Sequence, residues 1–131
     1  QIRTFGISVS EVTAIDDWIE QMTARWSISE RAAFNARLCV AELAANVVEH
    51  GASSGESDHI IITLRLAADR VEIEFLDSLR PFDPTVRAAE TKGPPSEAGG
   101  FGLILLQAYA KELSYVNDGT YNRVRFKIAS A

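Results

Sequence analysis

The sequence predicts an α+β fold, a two-layer sandwich of one mostly antiparallel mixed sheet with about three helices on one face. Three observations carry this expectation. Two stretches between Glu11 and His50 repeat apolar residues at helical spacing. Two later stretches, 59–66 and 70–77, alternate apolar and polar residues and are separated only by Ala67-Ala68-Asp69, the spacing of an antiparallel hairpin. A third apolar stripe and a final alternating segment then close the chain. With 131 residues, 47% of them hydrophobic, a single domain spanning 1–131 is expected to bury its own core.

Taken in order, Ile2 to Val9 alternates loosely and reads as a first strand, with Ile2, Phe5 and Ile7 apolar. Ser10 is the expected N-cap of a helix over Glu11 to Arg25, on which Val12, Ile15, Ile19 and Met22 form the apolar stripe, flanked by Trp18 and Trp26. Ser27-Ile28-Ser29-Glu30 matches a capping box and opens a second helix that runs to about His50. After a small polar loop come the hairpin strands. Ile60, Ile62, Leu64 and Leu66 share one face of the first, and Val71, Ile73 and Phe75 alternate with Glu72 and Glu74 in the second. From Ser78 to Gly100 regular pattern disappears, and Pro81, Pro84, Pro94, Pro95, Gly93, Gly99 and Gly100 all fall there. Phe101 to Leu113 reads as the third helix, Ser114 to Val116 as a short strand, and Asn117-Asp118-Gly119 as a turn. Asn122 to Ala129 is the last strand. Its outward Arg123, Arg125 and Lys127 are placed to pair with Glu72 and Glu74 across a solvated sheet face.

The second helix holds the least ordinary pattern. From Cys39 to Val48 every residue is apolar except Glu42 and Asn46, one turn apart on a stripe that Glu49 extends and His50 borders. A surface helix has the opposite proportions. Burying a carboxylate and an amide without partners is costly, so the pair is either a satisfied core feature or a site. Two further signals follow. Asp77 ends a strand that otherwise alternates cleanly; a carboxylate there can accept from an exocyclic amine, or can cap the next turn. Gly99-Gly100-Phe101-Gly102-Leu103 precedes a helix, where glycines let backbone approach a ligand and free N–H groups attract anions, or act as a hinge. No Gly-Lys-Ser/Thr of a P-loop follows.

In this order, Glu42-x-x-x-Asn46-x-x-x-His50, Asp77 with the following Pro81-Phe82-Asp83-Pro84, and Gly99-Gly100-x-Gly102-Leu103 resemble the GHKL (Bergerat-fold) ATPase superfamily. More closely, the chain resembles the bacterial anti-sigma-factor serine/threonine kinases over nearly its whole length. The resemblance implies a histidine-kinase-like ATPase fold with an ATP lid at about 78–100, and ATP and Mg²⁺ as cofactors. It implies Asn46 as the Mg²⁺ ligand and Asp77 as reader of the adenine amine. Gly99, Gly100, Gly102 and Leu103 would close over the phosphates, and Glu42 would be the general base. Each role suits the chemistry: hard cations take oxygen ligands, and phosphoryl transfer needs positioning and a carboxylate on the nucleophile. His50 would either support these groups or simply end its helix, and Glu49 is expected to be exposed.

The implied activity is ATP-dependent phosphorylation of a STAS-type anti-anti-sigma factor, with a sigma factor or analogous regulator as the other partner and a possible homodimer. One departure opens an alternative. Family members usually have glycine two residues after the aspartate, and here Leu79 stands. Either its side chain takes the space of the base, leaving a non-catalytic partner-binding module with a degenerate nucleotide site, or it points into the core and binding is untouched. Composition narrows the rest. A net charge of −5 argues against direct nucleic-acid binding. Cys39 alone excludes an intrachain disulfide and a cysteine-rich zinc site. No apolar stretch approaches the roughly 18 residues of a membrane span, so a cytoplasmic setting is expected.

Overall fold

In the computed structural model of the protein, residues 1–50, 58–79, 81, 83–85 and 100–130 are described. They form β1 (Ile2–Phe5), α1 (Val9–Arg25), α2 (Glu30–His50), β2 (Ile60–Leu66), β3 (Arg70–Asp77), α3 (Gly100–Tyr109), β4 (Lys111–Asn117) and β5 (Asn122–Ala129). The five strands make one sheet in the order β1-β2-β3-β5-β4, and every described pairing is antiparallel. The expected α+β class therefore holds, with a wholly antiparallel sheet among the described strands rather than a mixed one.

The apolar stripes of the sequence become the core. Ile15, Trp18, Ile19 and Met22 of α1 and Ala36, Cys39, Val40, Leu43 and Ala44 of α2 join one buried cluster. Its sheet side is built by Ile60, Ile62 and Leu64 with Val71, Ile73, Phe75, Val124, Phe126 and Ile128. Each such fully buried aliphatic or aromatic side chain contributes roughly 1.5–3 kcal/mol. Small residues at 32, 36 and 44, buried on α2, allow close approach to α1, and Arg37 pins the pair by a two-pronged bond to Asp16 (3.0 and 2.8 Å). Arg37 also reaches Glu20 at 3.3 Å, so the acidic group Asp16, Asp17 and Glu20 already holds a cation of its own.

The outer sheet face carries the expected charged ladder. Glu72 stands opposite Lys127 and Glu74 opposite Arg125, whose Nε lies 2.7 Å from the Glu74 carboxylate. Glu72 is bonded by Arg65 and Arg70 at 2.9 and 3.0 Å, which holds its carboxyl below the ordinary range. Such exposed pairs fix which face is wet more than they stabilise. Leu66, at the open end of β2, is 45% exposed and does not join the face that Ile60, Ile62 and Leu64 bury.

Several boundaries differ from the sequence expectation. β1 stops at Phe5, and the N-cap of α1 is Ser8, not Ser10: the Ser8 hydroxyl accepts from Glu11 N–H at 3.2 Å, while the Glu11 carboxylate accepts from Gly6 N–H at 2.9 Å. Ser29, not Ser27, caps α2, accepting from Ala32 N–H at 3.1 Å. Ser27 instead closes α1, with φ 55° and a pair of C-terminal bonds, Ser27 N–H to the Ala24 carbonyl and Ile28 N–H to the Thr23 carbonyl, both 3.1 Å. A left-handed backbone strains serine and suits glycine, so Ser27→Gly is expected to stabilise the fold by about 0.5–1 kcal/mol. The check is a higher urea midpoint with an unchanged slope.

The third helix ends at Tyr109 rather than Leu113. Leu106, Ala110 and Leu113 keep helical spacing, but Ala110 N–H makes the last helical bond, to the Leu106 carbonyl at 2.9 Å. From Lys111 the chain pairs with β5, with a register shift between Lys111 and Ser114 that places Glu112 at φ 52°. No helix among the described residues is long and apolar enough to cross a membrane.

Candidate functional site

Two parts of the fold carry the chemistry-bearing residues. The first is the C-terminal half of α2, which packs against β3, β5 and α3. Asn46 is buried, 5% exposed, and its Nδ2 has no hydrogen-bond partner among the described residues. Buried amides are almost always satisfied, so an orphan of this kind asks for a missing partner. Glu42, one turn earlier and half-buried, makes no hydrogen bond or ion pair with any described residue, and desolvation pushes its carboxyl above the ordinary range. Glu49 is exposed, as expected.

The second part is the end of β3. Asp77 follows Val71, Ile73 and Phe75 in the inward alternation and is 6% exposed. Its Oδ1 accepts from Leu79 N–H at 3.0 Å and from Asn122 Nδ2 at 2.9 Å. Its Oδ2 takes no hydrogen bond from the described residues. Burial pushes this carboxyl up, and the two hydrogen bonds pull it back. Ser78, beside it, is tied to the start of β2 through His59 N–H at 3.0 Å.

Leu79 is 9% exposed, buried yet outside the main core cluster. Its backbone is held at both ends, N–H to Asp77 and carbonyl by Asn122 Nδ2 at 3.0 Å, and its φ is not positive. The conformation thus places no demand for glycine at this position. Further on, Asp83 accepts from Thr85 N–H (2.8 Å) and Thr85 Oγ1 (2.6 Å), forming a turn in which Pro84 is buried. Gln107 Nε2 on α3 donates to the Pro84 carbonyl at 3.1 Å.

The structure brings Asp77 and Leu79 into one network, and it places Glu42 and Asn46 together on α2. Gly100 is the first residue of α3 and Gly102 lies in its first turn, so the glycines do open a helix. Gly99, most of 78–100, and the side chains of Leu103 and His50 lie outside the described residues.

Sequence reasoning missed Asn122. It is 2% exposed, stands directly opposite Asp77 across the β3–β5 pair, and its side chain bonds to Asp77, Leu79, Tyr115 and Asn117 among the described residues. A signal was present: in β5 the inward positions read Asn122, Val124, Phe126, Ile128, so the first of them is an amide where an apolar residue would fit.

The described residues thus form an antiparallel sheet with three helices, a buried strand-end aspartate, and on the second helix a half-buried carboxylate one turn from a buried amide. The chain belongs to the family described as "Histidine kinase-like ATPase domain", whose profile matches residues 7–128, and it is a GHKL-type ATPase domain. Among solved structures it is similar to the RsbU and RsbW domains of Rv1364c from Mycobacterium tuberculosis, with TM-score 0.68 at 12% identity, covering 98% of this chain. It is also similar to the histidine kinase domain of the blue-light activated histidine kinase from Erythrobacter litoralis EL346, with TM-score 0.54 at 20% identity, covering 92% of this chain. It spans 32% of the first of those chains and 60% of the second. At these identities the likeness shows a shared fold. No curated protein sequence matches the chain at a significant level.

Proposed function

We propose that the domain is an ATP-dependent serine/threonine protein kinase acting as an anti-sigma factor in partner-switching regulation. In this reading it transfers the γ-phosphoryl group of ATP to a hydroxyl of a STAS-type anti-anti-sigma factor. The observation that carries the reading is the pair on α2, where a half-buried carboxylate lies one turn from a buried amide whose Nδ2 has no hydrogen-bond partner among the described residues. A fold that needed this pair only for its core would have satisfied it.

The residues present fit a magnesium nucleotide. The Asn46 amide offers a carbonyl oxygen to a hard cation and an N–H to a phosphate oxygen, and Asp77 offers its unused Oδ2 to the exocyclic amine of adenine. Mg²⁺, when bound, would supply charge neutralisation along the phosphates. Glu42 takes the proton of the attacking hydroxyl. Desolvation makes it a stronger base than an exposed glutamate. Gly100 and Gly102 open α3 as an anion-binding helix start, with Gly99 and Leu103 completing the segment over the phosphates. The sequence motifs of the anti-sigma kinases and the RsbW domain in one structural neighbour support the regulatory half of the reading.

Leu79 carried the alternative of a binding module without phosphotransfer. Its burial and the fixed, unstrained backbone around it support a site that accommodates leucine. The test is transfer from γ-labelled ATP to a STAS protein in Mg²⁺. Label on a serine or threonine is the expected result, and nucleotide binding without transfer would favour sequestration.

A further inference from the structure

We propose that Asn122 is a positioning residue, holding Asp77 and Leu79 in one fixed arrangement so that a single carboxylate oxygen is presented to an adenine base, with Tyr115 and Asn117 fixing Asn122 in turn. The inference rests on the nucleotide reading of Asp77 and assigns what makes that residue selective.

The geometry leaves Asn122 one orientation. Its Nδ2 spends both hydrogens, on Asp77 Oδ1 at 2.9 Å and on the Leu79 carbonyl at 3.0 Å. Its Oδ1 accepts from Tyr115 O–H at 2.6 Å and from Asn117 Nδ2 at 3.1 Å. A carboxylate and a carbonyl can only accept, so the NH₂ must face them and the oxygen must face Tyr115 and Asn117. Flipping the amide would set oxygen against oxygen on one side and donor against donor on the other. Asn122 therefore cannot rotate, and it clamps Oδ1 of Asp77 together with Leu79 N–H. What remains for a ligand is Oδ2, which takes no hydrogen bond from the described residues. A 6-amino purine offers a donor there; a 6-oxo purine offers an acceptor and is repelled.

The clamp also favours the charged form of this buried carboxylate. Its hydrogen bonds from Asn122 and Leu79 N–H oppose desolvation, and among the described residues no charged side chain does so. Asp77 depends on an amide for what an ion pair would do elsewhere.

The experiment compares wild type, Asn122→Leu and Tyr115→Phe for affinity toward ADP and inosine diphosphate, and follows the Asp77 carboxyl carbon by NMR titration without nucleotide. Wild type is expected to prefer ADP by on the order of tenfold or more. Asn122→Leu is expected to lose about tenfold in ADP affinity, reduce that preference to within roughly threefold, and move the Asp77 midpoint to higher pH. Tyr115→Phe removes one oxygen from the fold and is expected to lower the ADP preference by a smaller factor, so it decides the matter if Asn122→Leu does not fold. Unchanged base preference in the folded variants, with an unmoved Asp77 midpoint, overturns the clamp while leaving the nucleotide site standing. Wild type binding neither nucleotide overturns the reading of the site, and the clamp with it.

Discussion

Glu42→Gln is expected to reduce phosphotransfer by on the order of 10²–10⁴-fold while leaving ATP affinity within about threefold of wild type. Glutamine keeps the shape of the side chain and removes its basicity, so the two effects separate. The same substitution is expected to make the protein more stable. Glu42 is half-buried with no partner among the described residues, and desolvation raises its carboxyl above the ordinary range. In the unfolded chain it titrates near its usual value of about 4. Between that value and the raised folded one, the folded protein binds more protons, so this group's contribution to stability is present at acid pH and lost as pH rises through the folded value. At neutral pH this partly desolvated carboxyl is a cost, and removing it is expected to raise stability. Thermal melts at pH 7 with a transfer assay check both halves. A variant that transfers phosphate at the wild-type rate removes Glu42 from the role of base.

Asp77→Asn is expected to weaken ADP binding by on the order of 10²-fold or more without unfolding the domain. An asparagine oxygen can still accept from Leu79 N–H and Asn122 Nδ2, the bonds that Oδ1 accepts at 3.0 and 2.9 Å. The remaining position changes from an acceptor to an NH₂, which meets the adenine amine donor to donor and leaves both unpaired. Burial raises the Asp77 carboxyl, its hydrogen bonds with Asn122 and Leu79 opposing that, so the sign of its linkage is the same as for Glu42. Stability at neutral pH should be held or slightly raised. Binding lost with stability retained marks a ligand contact; both lost together would mark Asp77 as a structural cap.

The parts of the fold legible in the sequence are those where one periodicity dominates. β3 and β5 were readable to the residue because alternation is strict and short turns bound them at Ala67–Asp69 and Asn117–Gly119. The end of α3 was not. Leu113 extends the helical stripe of Leu106 and Ala110, and only the demand of β5 for a neighbour turns Lys111–Asn117 into a strand. The start of α1 was read at Ser10, two residues late, because the bond that fixes the cap at Ser8 works together with the reach of Glu11 back to Gly6, which periodicity does not show. At the site, Glu42 and Asn46 stood out because polarity on a buried helix face is costly. Asn122 did not, since one polar residue at the start of an alternating strand is ordinary until the β3–β5 register places it opposite Asp77.

The most direct measurement is calorimetric titration of a non-hydrolysable ATP analogue, with and without Mg²⁺, into wild type and Asn46→Ala. Wild type should bind, and more tightly with Mg²⁺; Asn46→Ala should lose the magnesium-dependent gain. No binding by wild type at high protein concentration, or a magnesium gain that survives in Asn46→Ala, would contradict the assignment of α2 to a nucleotide site.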